Sequence, residues 1–254
     1  MRFIEHLDEL RKRIVIIAVV VGTASMVLYI WSWDILELLM RPLLPFLGEE
    51  PLRVFGPFEP FTFRFKVALY AALVITSPII IWQVLAFFVP ALKPKEQRYF
   101  IPTFFVAVAL FLIGNFFAYT VILGPAFEWM LGQTGATGLV EVLPEAPKFL
   151  SGVTLLMLGF GLAFQLPVVI FYLIAFGLVP YKKMRQNWRI AYVALLIVAS
   201  IATPDWSPVT MGFLFGALVV LYEGSLLLAR VVLRKRIAEQ RAAEGEDFEE
   251  PEEE

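Results

Sequence analysis

The stretch "EHLDELRKRIVIIAVVVGTASMVLYI", residues 5–30, sets three acids (Glu5, Asp8, Glu9) and three bases (Arg11, Lys12, Arg13) directly before an apolar run that begins at Ile14. That run is about as long as the roughly 20 residues an α-helix needs to cross about 30 Å of hydrocarbon. It lacks the small-residue A-x-A pattern of a cleaved leader and more apolar runs follow it, so it reads as a retained membrane anchor. Bases beside a span are ordinary anchors. Carboxylates there ask for a different explanation.

Composition agrees with a membrane protein. Apolar residues make up 59% of the chain and the mean hydropathy is +0.77, against an apolar share of about 45–50% in soluble domains. Six apolar segments can be marked, roughly 14–33, 66–91, 99–123, 149–178, 188–203 and 209–229. They predict an all-α, single-domain polytopic protein of six transmembrane helices over residues 1–236, arranged as a curved, concave wall with both ends on one side. The fifth segment is short, and two prolines in "TPDWSP", residues 203–208, turn the chain straight back. The fourth is long and carries Pro167 near its middle, which predicts a kink. Residues 237–254 are too acidic and too poor in apolar side chains to pack, and read as a disordered acidic tail.

Orientation follows from the bases. On the six-span reading, Arg41, Arg53, Arg64, Lys66 and Lys148 fall on one side, and the other sixteen of the 21 Lys and Arg residues fall on the opposite side. The positive-inside rule then places both termini in the cytoplasm of a cell (plasma or inner) membrane. The two longer outer loops predict a helix along the outer interface with Ile35, Leu38, Leu39 and Leu43 on one face, interrupted at Pro42. After it comes the turn "VFGPFEPF", residues 54–61, whose Phe55, Phe58 and Phe61 read most simply as capping the bundle.

Most chemistry lacks raw material. The net charge of −2 gives no field for nucleic acid, there is no cysteine, and the single histidine, His6, lies outside the apolar runs. No metal site, cofactor or serine–histidine pair at membrane depth is expected, and no phosphate-binding loop, H-E-x-x-H run or nucleophile elbow is present. An enzyme is not predicted. A small ion-coupled secondary transporter is the alternative, but it wants ionisable groups near the midplane, and the apolar cores hold Gln165 but no central Asp, Glu, Lys or Arg. A membrane scaffold is a third class.

The acids before the first span and Glu96 in "LKPKEQRYF", residues 92–100, fall at the same membrane face. Two readings are open. Glu9 pairs with Arg13, and Asp8 with Lys12, as i,i+4 surface decoration; or Glu9 and Glu96 converge on a ligand. Gln165 also has two: it repairs the helix turn that Pro167 disturbs, or it faces a wet groove and bonds a partner's helix or an inserted segment.

"HLDELRKR" (residues 6–13), "FFVPALKPKEQR" (87–98), "GFGLAFQLPVVI" (159–170) and the "TPD" turn (203–205), in this order and among six spans, resemble the TatC component of twin-arginine protein translocases, over about residues 4–236. The resemblance implies a membrane receptor for folded precursor proteins with a twin-arginine signal. It further implies a multi-copy complex with TatA- and TatB-type single-span proteins, and outward transport driven by the proton-motive force. It carries signal binding onto Glu9, Arg11, Phe87, Pro90 and Glu96, where carboxylates suit the planar donor fork of arginine. Thr203 and Asp205 match the family's turn before the last span and, with Gln165 and Pro167, are the expected partner or groove positions. At Gln165 this chain departs from the family, which usually has Glu there.

Overall fold

The computed structural model describes residues 3–47, 53–88, 100–132, 145–175, 177–203 and 207–234. Regular structure among them is helical apart from one isolated bridge between Arg53 and Glu145. The elements are α1 (Phe3–Leu28), α2 (Ser32–Met40), a 3₁₀ turn (Arg41–Leu43), α3 (Leu44–Leu47), α4 (Glu59–Ile75), α5 (Ser77–Phe88) and α6 (Phe100–Phe117). A π-turn (Ala118–Ile122) leads into α7 (Leu123–Gly132), followed by α8 (Ala146–Ala163), α9 (Leu166–Ala175), α10 (Tyr181–Gln186), α11 (Trp188–Ala202) and α12 (Pro208–Val232).

By length and apolarity, three runs can cross a membrane unaided: Phe100–Met130, Ala146–Ala175 and Pro208–Val232. Two bent pairs, Leu7–Leu28 with Ser32–Leu43 and Glu59–Ile75 with Ser77–Phe87, raise this to as many as five, and α11 is a shorter apolar helix. The second apolar segment is therefore not the straight helix that its hydropathy implies. It bends by 58° between α4 and α5. Pro78 has no N–H to give, so the turn before it loses a hydrogen bond. The hydroxyls of Thr76 and Ser77 compensate by donating to the carbonyls of Ala72 and Val74, both at 2.7 Å. The kink expected at Pro167 is present, with Phe164 and Gln165 as a turn between α8 and α9. Gly177, at φ 72°, ends the α9 region in the left-handed conformation that glycine alone adopts without strain.

The chain turns by 89° between α1 and α2, and a cation from another helix holds the corner. Arg64 of α4 donates from Nε to Ser32 Oγ (2.9 Å) and stacks over the rings of Tyr29 (4.5 Å) and Trp33 (5.1 Å). From this corner α2 packs inward, with Leu39 and Leu43 buried and Ile35 against the core, while Leu38 is exposed. The four-residue apolar face predicted for this helix thus loses Leu38, whose carbonyl instead accepts the Tyr119 hydroxyl from the π-turn at 2.7 Å. Pro42 sits within the 3₁₀ turn. Phe55, Phe58 and Phe61 are exposed, with the Phe61 ring 5.7 Å from that of Tyr29, and Glu59 accepts from the Phe55 N–H in the turn that carries them.

Between helices in lipid there is little hydrophobic driving force, and close van der Waals contact does the work. Small residues allow it: Ala68 and Ala72 of α4 and Ala107 of α6 are fully covered. A Cβ at Gly114 would lie 2.8 Å from the Phe160 carbonyl oxygen, so α6 and α8 meet there only because that position is glycine. At the same level the Tyr70 hydroxyl donates to Asn115 Oδ1 (3.0 Å), and Asn115 Nδ2 donates to the Phe111 carbonyl (2.9 Å). No buried polar atom is stranded in that node.

The resulting wall curves. Helix α1 packs on α4 and α5, α4 on α8, α8 on α6, α9 on α12, and α12 on α11. An apolar cavity of about 550 Å³ lies between α5, α6, α8 and α9, lined in part by Ile81, Phe111, Leu158 and Gln165.

Candidate functional site

Glu9 and Arg13 are four residues apart, so they project from one face of α1, and that face meets the end of α5. Arg13 Nε and Nη2 donate to Glu9 Oε1 at 3.2 and 2.5 Å. Its Nη1 donates to the side-chain oxygen of Gln83 (3.1 Å) and to the Gln83 carbonyl (3.4 Å), and Nη2 also reaches the Ala86 carbonyl (3.2 Å). The i,i+4 pair exists, but it is not surface decoration: the two side chains are only 20% and 23% exposed. It ties α1 to α5.

The other oxygen of Glu9 differs. Oε2 is buried and has no hydrogen-bond partner among the described residues. Leaving a carboxylate oxygen in that state costs about 1–3 kcal/mol or more, so the position favours a donor. A cationic side chain brought against it would supply one. This end of the molecule has the chemistry of a cation-binding site.

Phe87 is half-buried in the last turn of α5, next to Ala86, and so belongs to the same end. Arg11 does not join the Glu9 network. Two residues on, it lies about 200° around α1 and is exposed. Pro90, Glu96 and Asp205 lie outside the described residues, as does the acidic tail.

Gln165 reaches across to a neighbouring helix: its Nε2 donates 2.9 Å to the carbonyl of Ala107 on α6, and the residue stands in the cavity wall. Pro167 follows the break as the second residue of α9. Thr203 is buried in the turn after α11 and donates back to the Ala199 carbonyl at 3.1 Å, and Ser207 caps α12 by accepting from Val209 and Thr210. These polar residues finish helix ends.

Sequence reasoning paired Arg13 with Glu9 only as surface decoration and passed over Gln83. A faint signal was present: Gln83 is the one amide in the apolar run "SPIIIWQVLAFF", and an amide inside a span needs a polar partner. No cluster of three or more acid, histidine or cysteine side chains able to hold a metal occurs among the described residues.

Residues 5–216 match the family described as Sec-independent protein translocase protein (TatC). The chain is 31% identical to the TatC protein of Koribacter versatilis, across 96% of this chain and 92% of that one. To the TatC protein of Aquifex aeolicus it is 30% identical, across 94% and 98%. A crystal structure described as the twin-arginine translocase receptor TatC superimposes with a TM-score of 0.76 at 29% identity, covering 88% of this chain and 99% of that one.

Proposed function

The chain belongs to the TatC family of Sec-independent protein translocase proteins, a membrane-embedded and non-enzymatic family, and from that premise we propose that it is the receptor for twin-arginine signals. Glu9 receives one arginine of the pair at the α1–α5 end; Phe87, Pro90 and Glu96 complete the site, and Arg11 contributes from the outer side of α1. The observation that carries this reading is the buried Glu9 Oε2, which accepts no hydrogen bond while its neighbour oxygen accepts two. An arginine delivered by a signal segment meets that need.

Six crossings with both termini in the cytoplasm, in a plasma or inner membrane, fit the basic asymmetry of the sequence. On this topology α11 counts as a span despite its 15 residues, about 22 Å of helix, and the bilayer thins beside it. Residues 1–236 act as one membrane domain and 237–254 as a cytoplasmic acidic tail. The working unit is a complex of several copies with TatA- and TatB-type single-span subunits, which Gln165, Pro167 and the Thr203–Asp205 turn help to seat, and the proton-motive force drives transport of folded precursors. The transporter alternative is not favoured: among the described residues, the continuous spans hold two acids, Glu128 in the last turn of its span and Glu223, which is already paired with Arg185 and Tyr192.

A photoreactive residue beside the arginine pair of a precursor tests the site. Crosslinks are expected at Leu10 and Phe87. Crosslinks confined to the α10–α12 end would overturn the assignment.

A further inference from the structure

A guanidinium has five N–H donors, and a carboxylate oxygen has two lone pairs. Arg13 makes five contacts: two to Glu9 Oε1, two to Gln83 and one to the Ala86 carbonyl. It is therefore saturated, and it saturates Oε1 as well. A second guanidinium docking as a parallel two-bond fork needs both oxygens of the carboxylate. Only Oε2 is open.

Taking the receptor reading above as its ground, the geometry points to Arg13 as a positioning residue that holds Glu9 as a one-oxygen acceptor, so that Glu9 registers the positive charge of a signal residue and not the planar shape of arginine. Gln83 serves the same end by anchoring Nη1 from α5. Preference for arginine over lysine is then exercised elsewhere in the site. Lysine is a compact charge with three rotatable donors, and a single oxygen accepts from it as readily as from one arm of arginine.

The test uses the full-length protein in detergent and two labelled signal peptides, one with paired arginines and one with paired lysines. Glu9→Gln is expected to weaken both by a similar factor, about tenfold, leaving the arginine-to-lysine affinity ratio within about twofold of the parent protein. Arg13→Lys releases a lone pair of Oε1 and lets Glu9 accept a fork, so that ratio is expected to rise several-fold. A merely structural role for Arg13 predicts no rise. Collapse of the ratio toward one in Glu9→Gln, or an unchanged or lower ratio in Arg13→Lys, overturns the inference. Should Arg13→Lys fail to fold, Gln83→Leu, which loosens the same guanidinium, is read by the same ratio. If Glu9→Gln leaves both affinities untouched, it is the receptor site itself that has been misplaced.

Discussion

Among the described residues, two glutamate–arginine pairs join one α-helix to another, and they are built to opposite ends. At the α1–α5 junction, Arg13 takes one oxygen of Glu9 twice and the other oxygen is left buried and unpartnered. At the α10–α12 junction, Glu223 uses both of its oxygens: Oε2 accepts from Arg185 at 2.5 Å and Oε1 accepts from the Tyr192 hydroxyl at 3.0 Å. The Tyr222 hydroxyl adds a bond of 2.9 Å to the Met184 carbonyl, which fixes α10 against α12. In the second network both carboxylate oxygens have a partner, and in the first one oxygen has none. A pair with both oxygens engaged holds helices together, whereas one with an unpartnered oxygen also has something left for a ligand.

The contrast is broken most directly by removing each carboxylate in turn. Glu9→Ala is expected to weaken binding of a twin-arginine peptide by about 10- to 100-fold, the worth of a hydrogen bond to a charged group at about 1.5–3 kcal/mol. Glu223→Ala should leave that affinity within about twofold. Peptide titration by fluorescence anisotropy measures both, and equal losses in the two variants would erase the distinction between open and closed pairs.

A third polar tie sharpens the comparison from deeper in the wall. Gln165→Leu removes the bond to the Ala107 carbonyl, and thermal unfolding in detergent should show a loss of about 0.6–2 kcal/mol, the usual worth of such bonds between membrane helices. Gln165→Glu in its neutral form offers a single donor to the same carbonyl and should recover most of that loss. Unchanged stability in Gln165→Leu would mean that this amide, like Glu9, is held for a ligand.

The smallest effect is expected at the closed pair itself. Arg185 is 58% exposed, and exposed pairs contribute about 0–1 kcal/mol. Glu223→Gln, which keeps an acceptor for Tyr192, should therefore lower stability by less than about 1 kcal/mol, and added salt should narrow the gap to the parent protein. A larger, salt-insensitive loss would show that the closed pair is desolvated and central to the fold.

Hydropathy, counted residue by residue, located the last two helical runs to within a few positions, with segments read as 188–203 and 209–229 becoming Trp188–Ala202 and Pro208–Val232, whereas those read as 14–33 and 66–91 begin at Phe3 and Glu59 and are followed by sharp bends. The kink near Pro167 was equally legible, since a missing N–H is a property of one residue. The bend at Thr76 was missed, although two hydroxyls and a proline, Thr76, Ser77 and Pro78, interrupt the apolar run there with the same signature. Glu9 stood out as a carboxylate where anchoring needs only bases. Its i,i+4 pairing with Arg13 was legible too, but not its burial. Burial depends on α5, whose sequence lies some 70 residues away.

What the sequence alone determined is therefore what belongs to local chemistry: a membrane-embedded all-α chain, its helical runs, its prolines and its unusual acids, together with motifs dense enough to reveal its family. Tertiary structure decided how partners were allotted. Arg64 became the staple of the α1–α2 corner, Gln165 bonded α6 and not its own turn, and Arg13 spent all five donors so that one oxygen of Glu9 stayed open. A hydrogen bond is a short-range, saturable contact between groups brought together by the packing of distant segments, so which donor satisfies which acceptor is settled only when the helices are in place.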